Sequence, residues 1–281
     1  MEEPSQLNLP AEPVARGNSS VVGDLRFHEF PSRIFHNQRL LRVWLPPGYD
    51  LPENSCRRYP VFYLNDGQNL FDQATSFTGI EWQVDETADR LIRAGAIPPA
   101  IFVGIDNARL ERLKEYLPYR SLNPVVLRPQ GTRYPDFLIQ EVMPFMNQHY
   151  RVAKGAENTS LGGSSLGGLI ALYVALAAPG VFGRLLLESP SLWVANRQIL
   201  RACRGFRRWP EKIFLGVGTR ELGRDDKDRQ TVENVRELER ILRRGGLDDR
   251  RLRVEIAEGG THGEAAWAAR FPAALQFFFG N

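Results

Sequence analysis

Apolar residues in this chain fall into two kinds of pattern that alternate along its length. Tyr59 to Leu64 and Ala100 to Ile105 are short apolar runs, as strands buried on both faces of a sheet require. Arg184 to Leu187, Lys212 to Val217 and Leu252 to Ala257 read the same way. Between them lie segments with helical spacing: Val84 to Ala94, Tyr134 to Tyr150 with a kink expected at Pro144, Leu166 to Ala178, Thr231 to Arg244, and Ala265 to Phe278. Leu25 to Phe30 and Leu40 to Leu45 alternate instead, which suits an antiparallel pair at one sheet edge. Strands alternating with helices predict an α/β fold, a mostly parallel twisted sheet with helices on both faces. In such sheets chemistry collects just beyond the carboxyl ends of the strands. The loops after Leu64, Ile105, Val217 and Ala257 fall there.

A fifth turn at that edge organises the rest. Gly163-Ser164-Ser165-Leu166-Gly167 is a G-x-S-x-G match between a strand-like run and an apolar helix that Pro179-Gly180 ends. The serine at such an apex takes a strained backbone, and glycines two residues to either side let strand and helix pass without a Cβ clash. Ser165 is the candidate nucleophile. A serine that merely caps a helix is the bland alternative.

The partners of a nucleophilic serine follow from chain order. His262 alone of the four histidines sits in a glycine-flanked loop after a late strand, where a general base is expected. The acid belongs on the loop after Lys212 to Val217. Glu221 is nearest the strand end, with Asp225, Asp226 and Asp228 following, the aspartates doubling as N-terminal charges for the next helix. An oxyanion hole would use the N–H of Leu166 and one from Gly67 or Gln68, although Asp66-Gly67 also reads as a plain turn. Phe71, Trp82, Trp193 and Trp267 would lie at the mouth if the loops are so placed, or in the core if not. Arg109 and Arg112 follow a strand end, where an anionic substrate would meet them; for Arg112, a surface salt bridge to Glu115 is the simpler expectation.

Composition narrows the class. A chain of 281 residues with 43% hydrophobic residues can bury a large core, so residues 25–281 are expected to form one catalytic domain behind a Pro/Ser/Asn-rich tail, residues 1–24. The net charge of +3 is carried almost wholly by arginine, interleaved with acids, which argues against a nucleic-acid partner. No apolar run is long enough to span a membrane, and Glu2 and Glu3 head a terminus that lacks a signal-peptide core, so a cytoplasmic location is expected. Cys56 and Cys203 read as ordinary thiols. There is no H-E-x-x-H, and the histidines are scattered, so neither metal nor cofactor is called for.

Several blocks in order carry a family resemblance: Arg42 to Tyr49 (RVWLPPGY), Asn65 to Phe71 (NDGQNLF), Trp82 to Glu86 (WQVDE), Val103 to Asn107 (VGIDN), Arg112 to Tyr116 (RLKEY), Gly162 to Gly168, Ser189 to Trp193 (SPSLW) and His262 to Trp267 (HGEAAW). Together they resemble the esterase family of α/β-hydrolases, most closely its enterobactin-esterase-like branch, related to feruloyl and acetylxylan esterases and S-formylglutathione hydrolase. The resemblance runs from about Leu25 to the end. It implies the α/β-hydrolase fold, Ser165 as nucleophile and His262 as base, acting on a small or medium ester in a monomer or homodimer; the position of the acid varies within the family. The resemblance does not extend to the N-terminal module of the cytoplasmic enterobactin esterases, so that module is not expected within these residues. An acyltransferase on the same scaffold, or a binding protein that keeps it without catalysis, are the other readings.

Overall fold

The computed structural model describes residues 19–280. In chain order the elements are β1 (Asp24–Ser32), β2 (Asn37–Leu45), β3 (Val61–Asn65), α1 (Val84–Arg93), β4 (Ile101–Ile105) and α2 (Arg112–Tyr116). A short hairpin, β5 (Ser121–Leu122) and β6 (Val125–Val126), leads to α3 (Tyr134–Asp136) and α4 (Met143–His149). Then come β7 (Thr159–Ser164), α5 (Leu166–Ala177), β8 (Arg184–Glu188), α6 (Val194–Cys203), β9 (Lys212–Arg220), α7 (Asp225–Arg244), β10 (Leu252–Thr261) and α8 (Glu264–Phe279). Eight strands form one sheet in the order β1-β2-β4-β3-β7-β8-β9-β10. The β1–β2 and β2–β4 pairs are antiparallel and every other pair is parallel.

The two-residue period of the strands divides the core. Val61 and Tyr63 pack with α5 and α7 on one face, whereas Phe62 and Leu64 pack with α1 and α8 on the other. Ile213 and Leu215 separate from Phe214 in the same way. Because both faces are covered, the central strands carry no polar alternation, and this is why they read as continuous apolar runs. The chain leaves β3 for β4 on one side and later returns to β7 on the other, so the crevice between the ends of β3 and β7 is a topological switch point.

Three local expectations change in detail. The helical stretch around Pro144 is broken as expected, but by widening: residues Phe137–Val142 form a π-helical turn, and the Met143 N–H reaches back to the Leu138 carbonyl. α7 begins at Asp225, six residues before the expected Thr231, because Asp225, Asp226 and Asp228 supply the negative first turn that a helix N-terminus favours. Residues 1–18 of the expected tail lie outside the described residues. The last part of that stretch is bound to the domain: the Ser19 hydroxyl bonds Asp72, that of Ser20 bonds Glu81, and the Val22 N–H donates to Asp85 at 2.6 Å.

The expected Arg112–Glu115 surface pair is not formed. Glu115 is buried against Arg39, with Nη2 at 2.9 Å and each side chain 1% exposed. Asn37 adds a hydrogen bond at 2.6 Å. Removing one member of a buried pair strands the other charge. Arg39→Met is therefore expected to lower unfolding free energy by about 3–5 kcal/mol, read from urea denaturation midpoints. A change within experimental error would show that the pair carries no such weight.

Candidate active site

Ser165 sits between β7 and α5 with φ 55° and ψ −121°, a conformation that costs energy for any residue with a side chain. Neighbouring strands hold it there. Its N–H donates to the Glu188 carbonyl (2.9 Å), and its carbonyl accepts from Ser191 N–H (3.0 Å) and Leu169 N–H (3.1 Å). Glycine at 163 is obligatory: a Cβ there would lie 2.7 Å from the carbonyl carbon of Gly167. The Ser165 hydroxyl is 3.2 Å from Oγ of Ser191.

His262 follows β10 and faces the same cavity as Ser165. Its Nδ1 lies 2.5 Å from Oε2 of Glu221, which is 4% exposed just beyond β9. Oε1 of Glu221 accepts from Gly218 N–H (2.6 Å) and the Ser189 hydroxyl (2.7 Å). Burial works against the charged carboxylate, but the hydrogen bonds from His262, Gly218 and Ser189 outweigh it and hold the Glu221 pKa below the ordinary 4.5. Asp225 and Asp226 are exposed on the first turn of α7, and Asp226 pairs with Arg224. Glu221 is thus the acid that touches the histidine.

Leu166 opens α5, so its N–H has no acceptor within the helix. Gln68 lies in the 3₁₀ turn Gly67–Asn69, whose own bonds start with Asn69 N–H to Asp66 O at 3.0 Å. Asp66-Gly67 is more than a turn. Asp66 takes a left-handed φ of 60°, and its carboxylate accepts from Arg112 at 2.6 and 2.8 Å and from Asn107 at 2.6 Å. That pair, not Glu115, occupies Arg112. Beside it Arg42 clamps Asp106 at 2.6 and 3.0 Å.

Ser165, His262, Gln68 and the Asp66–Arg112 pair line a cavity of about 930 Å³ with Trp267, Arg109, Phe77 and Leu110, whereas Glu221 and Leu166 lie behind its wall. The aromatic expectations divide. Trp267 is on the wall, edge-on to His262 at 5.2 Å between ring centres. Trp82 is buried in the core against Trp267 and Phe271, because its backbone N–H is tied to the Asn69 carbonyl and draws it beneath the loop. Phe71 is also core, and Trp193 heads α6 half-exposed and apart from the cavity lining. Among the lining residues that escaped the sequence reading are two large apolar ones, Phe77 and Leu110. Phe77 is 90% and Leu110 is 96% exposed. Their only sequence signal was a large apolar residue inside an otherwise polar loop.

Among the described residues, one group of acids comes close enough to hold a metal, Glu81, Asp85 and Glu86, and none of them lines the cavity. Burial there pushes Glu81 up to about 7 and also raises Asp85, whose neighbour Glu86 adds to the effect. Cys56 and Cys203 are free thiols. No described helix is long and apolar enough to cross a membrane.

A family model described as "Putative esterase" matches residues 32–278. The chain belongs to this esterase family. The esterase is 28% identical to the ferri-bacillibactin esterase BesA of Bacillus subtilis, over 71% of its own length and 71% of that protein's. It is 27% identical to the iron(III) enterobactin esterase of Dickeya dadantii over 78% of its own length, and spans about half (51%) of that relative. Among solved structures, the BES protein from Bacillus cereus matches with a TM-score of 0.71 at 20% identity, covering 95% of this esterase and 99% of that chain. The α/β-hydrolase fold and the enterobactin-esterase-like branch that the sequence blocks implied are thereby borne out. Ester hydrolysis is the activity that the family and these relatives carry by name.

The depressed Glu221 carboxyl gives a pH test. A group with a lowered folded pKa stabilises the protein above its unfolded value, 4.5, and that stabilisation is lost as pH falls through the folded value. Glu221→Gln is expected to melt below the wild type at pH 7, with the gap closing as pH drops below about 4.5. Calorimetric melting from pH 7 to 3 checks it; a gap independent of pH would mean that the charge contributes nothing.

Proposed function

We propose that this protein is a serine carboxylesterase in which Ser165 is the nucleophile, His262 the general base and Glu221 the acid that orients it. The observation that carries the reading is the 2.5 Å contact of Glu221 with His262 Nδ1, beside a strained serine in the same cavity. With its proton held on Nδ1, the imidazole offers Nε2 as a base. The Ser165 hydroxyl turns from Ser191, gives its proton to Nε2, and Oγ attacks the ester carbonyl carbon. The carbonyl electron pair moves to oxygen, where the N–H groups of Leu166 and Gln68 stabilise the oxyanion. Collapse expels the alcohol, which takes the proton from His262 and leaves an acyl-enzyme. Water then attacks while His262 accepts its proton; the acid departs and Ser165 recovers its hydrogen.

Two features of the cavity bear on the ester. Phe77 and Leu110 present apolar surface that the fold itself does not bury, and Arg109 adds a cation beside them. An ester whose acyl or alcohol part carries an aromatic or other apolar group suits that wall, and an anionic substituent suits Arg109. Siderophore and feruloyl esters fall in this class, and the names of the relatives support the first. Acetyl esters are the smaller alternative.

Ser165→Ala is expected to cut release of p-nitrophenol from p-nitrophenyl esters by at least about a thousandfold with the fold intact. A fluorophosphonate should label Ser165 in the wild type. Undiminished hydrolysis by a clean preparation of the variant would refute the nucleophile. Phe77→Ala is expected to raise KM for aryl esters several-fold, roughly the loss of a partly buried aromatic contact, and to leave kcat unchanged. An unaltered KM across acetate, octanoate and feruloyl esters would remove Phe77 from the binding wall.

A further inference from the structure

We infer that Ser189 is a positioning residue, whose hydroxyl sets the orientation of the Glu221–His262 pair and locks Trp267 beside it. The inference rests on the reading of His262 as the base. Ser189 follows β8 and is 2% exposed. A hydroxyl has one proton to give and two lone pairs to receive with. Two groups that can only donate approach its oxygen: Nε1 of Trp267 at 3.0 Å and Nη2 of Arg270 at 3.5 Å. Arg270 is itself fixed by the fully buried Glu188, at 2.7 and 2.8 Å. With both lone pairs addressed by donors, the proton is left for Oε1 of Glu221, 2.7 Å away.

The consequence passes along the carboxylate. Oε1 receives two donors, Ser189 O–H and Gly218 N–H, so Oε2 is the oxygen presented to Nδ1 of His262. Rotating the carboxylate would break both bonds at once. The same hydroxyl anchors the indole that stands edge-on to the imidazole. The backbone makes the point independently. Ser189 has φ 44°, in the left-handed region where glycine is relaxed and a side chain is strained. Serine there bears a strain that glycine would avoid, and what it gains is the hydroxyl.

The test uses two variants of the whole chain, Ser189→Ala and Ser189→Gly. Glycine suits the backbone at this position, so it keeps the test open if alanine does not fold. Proton NMR in water should show the Nδ1–H of His262 far downfield of the amides in the wild type, assigned by its loss in His262→Gln. In the Ser189 variants that resonance is expected to move or broaden away. For p-nitrophenyl esters kcat should fall about ten- to a hundredfold, the weight of one hydrogen bond to a charged group, with KM unchanged. Folded variants that keep both the resonance and kcat would overturn the inference, as would a wild type with no such resonance. If the wild type hydrolyses no ester and yet the resonance moves in Ser189→Gly, the positioning role stands and the esterase reading of the site fails.

Discussion

The close passage of strand β7 against helix α5 is the constraint on which the rest of this structure depends. Gly163 and Gly167 meet with no room for a side chain on the first, and Ser165, midway between them, is forced into a backbone conformation that it would not choose alone. Such strain persists only where neighbours over-determine it. Here they are the Glu188 carbonyl from β8 and the Ser191 N–H from the following loop. The parallel sheet therefore does more than support the turn. Its hydrogen bonds keep Ser165 standing above the strand ends, at the switch point where the loops after β3, β4, β9 and β10 converge.

From that edge inward the polar groups become progressively less free. Asp66 and Asp106 are each held by an arginine on the side of the cavity nearest β2 and β4. On the other side Glu188, Arg270, Ser189, Glu221 and His262 form one continuous chain of hydrogen bonds. Connected networks of this kind favour a single arrangement, because breaking any link strands a further buried donor or acceptor. The cavity thus has rigid polar walls and an apolar rim.

Much of this was legible in the sequence, for identifiable reasons. Strands such as Val61–Asn65 are buried on both faces, so their apolar runs stand out. The glycine spacing around Ser165 records a steric requirement that few other structures impose, and His262 is marked by its lateness and its glycines. The proposed acid was less legible: Glu221 and Asp225 are four residues apart, and only the point at which β9 gives way to α7 separates them. Trp82 and Arg112 were misplaced because their fates depend on distant partners, the Asn69 carbonyl and Asp66. No local pattern encodes those contacts. Phe77 and Leu110 were overlooked because a lone apolar residue in a polar loop has no period to betray it.

The rim has a consequence of a different kind. Phe77 and Leu110 project from loops and are almost wholly exposed, so the core gains nothing from their identity. Ser165, His262 and Glu221 are held by the sheet and a buried network that those loops do not help to build. Mutations at the rim can therefore accumulate without endangering the fold, while mutations behind it cannot. On the proposed reading of the site, such a division leaves one scaffold free to drift among substrates over evolutionary time, its machinery unchanged and only its doorway remodelled.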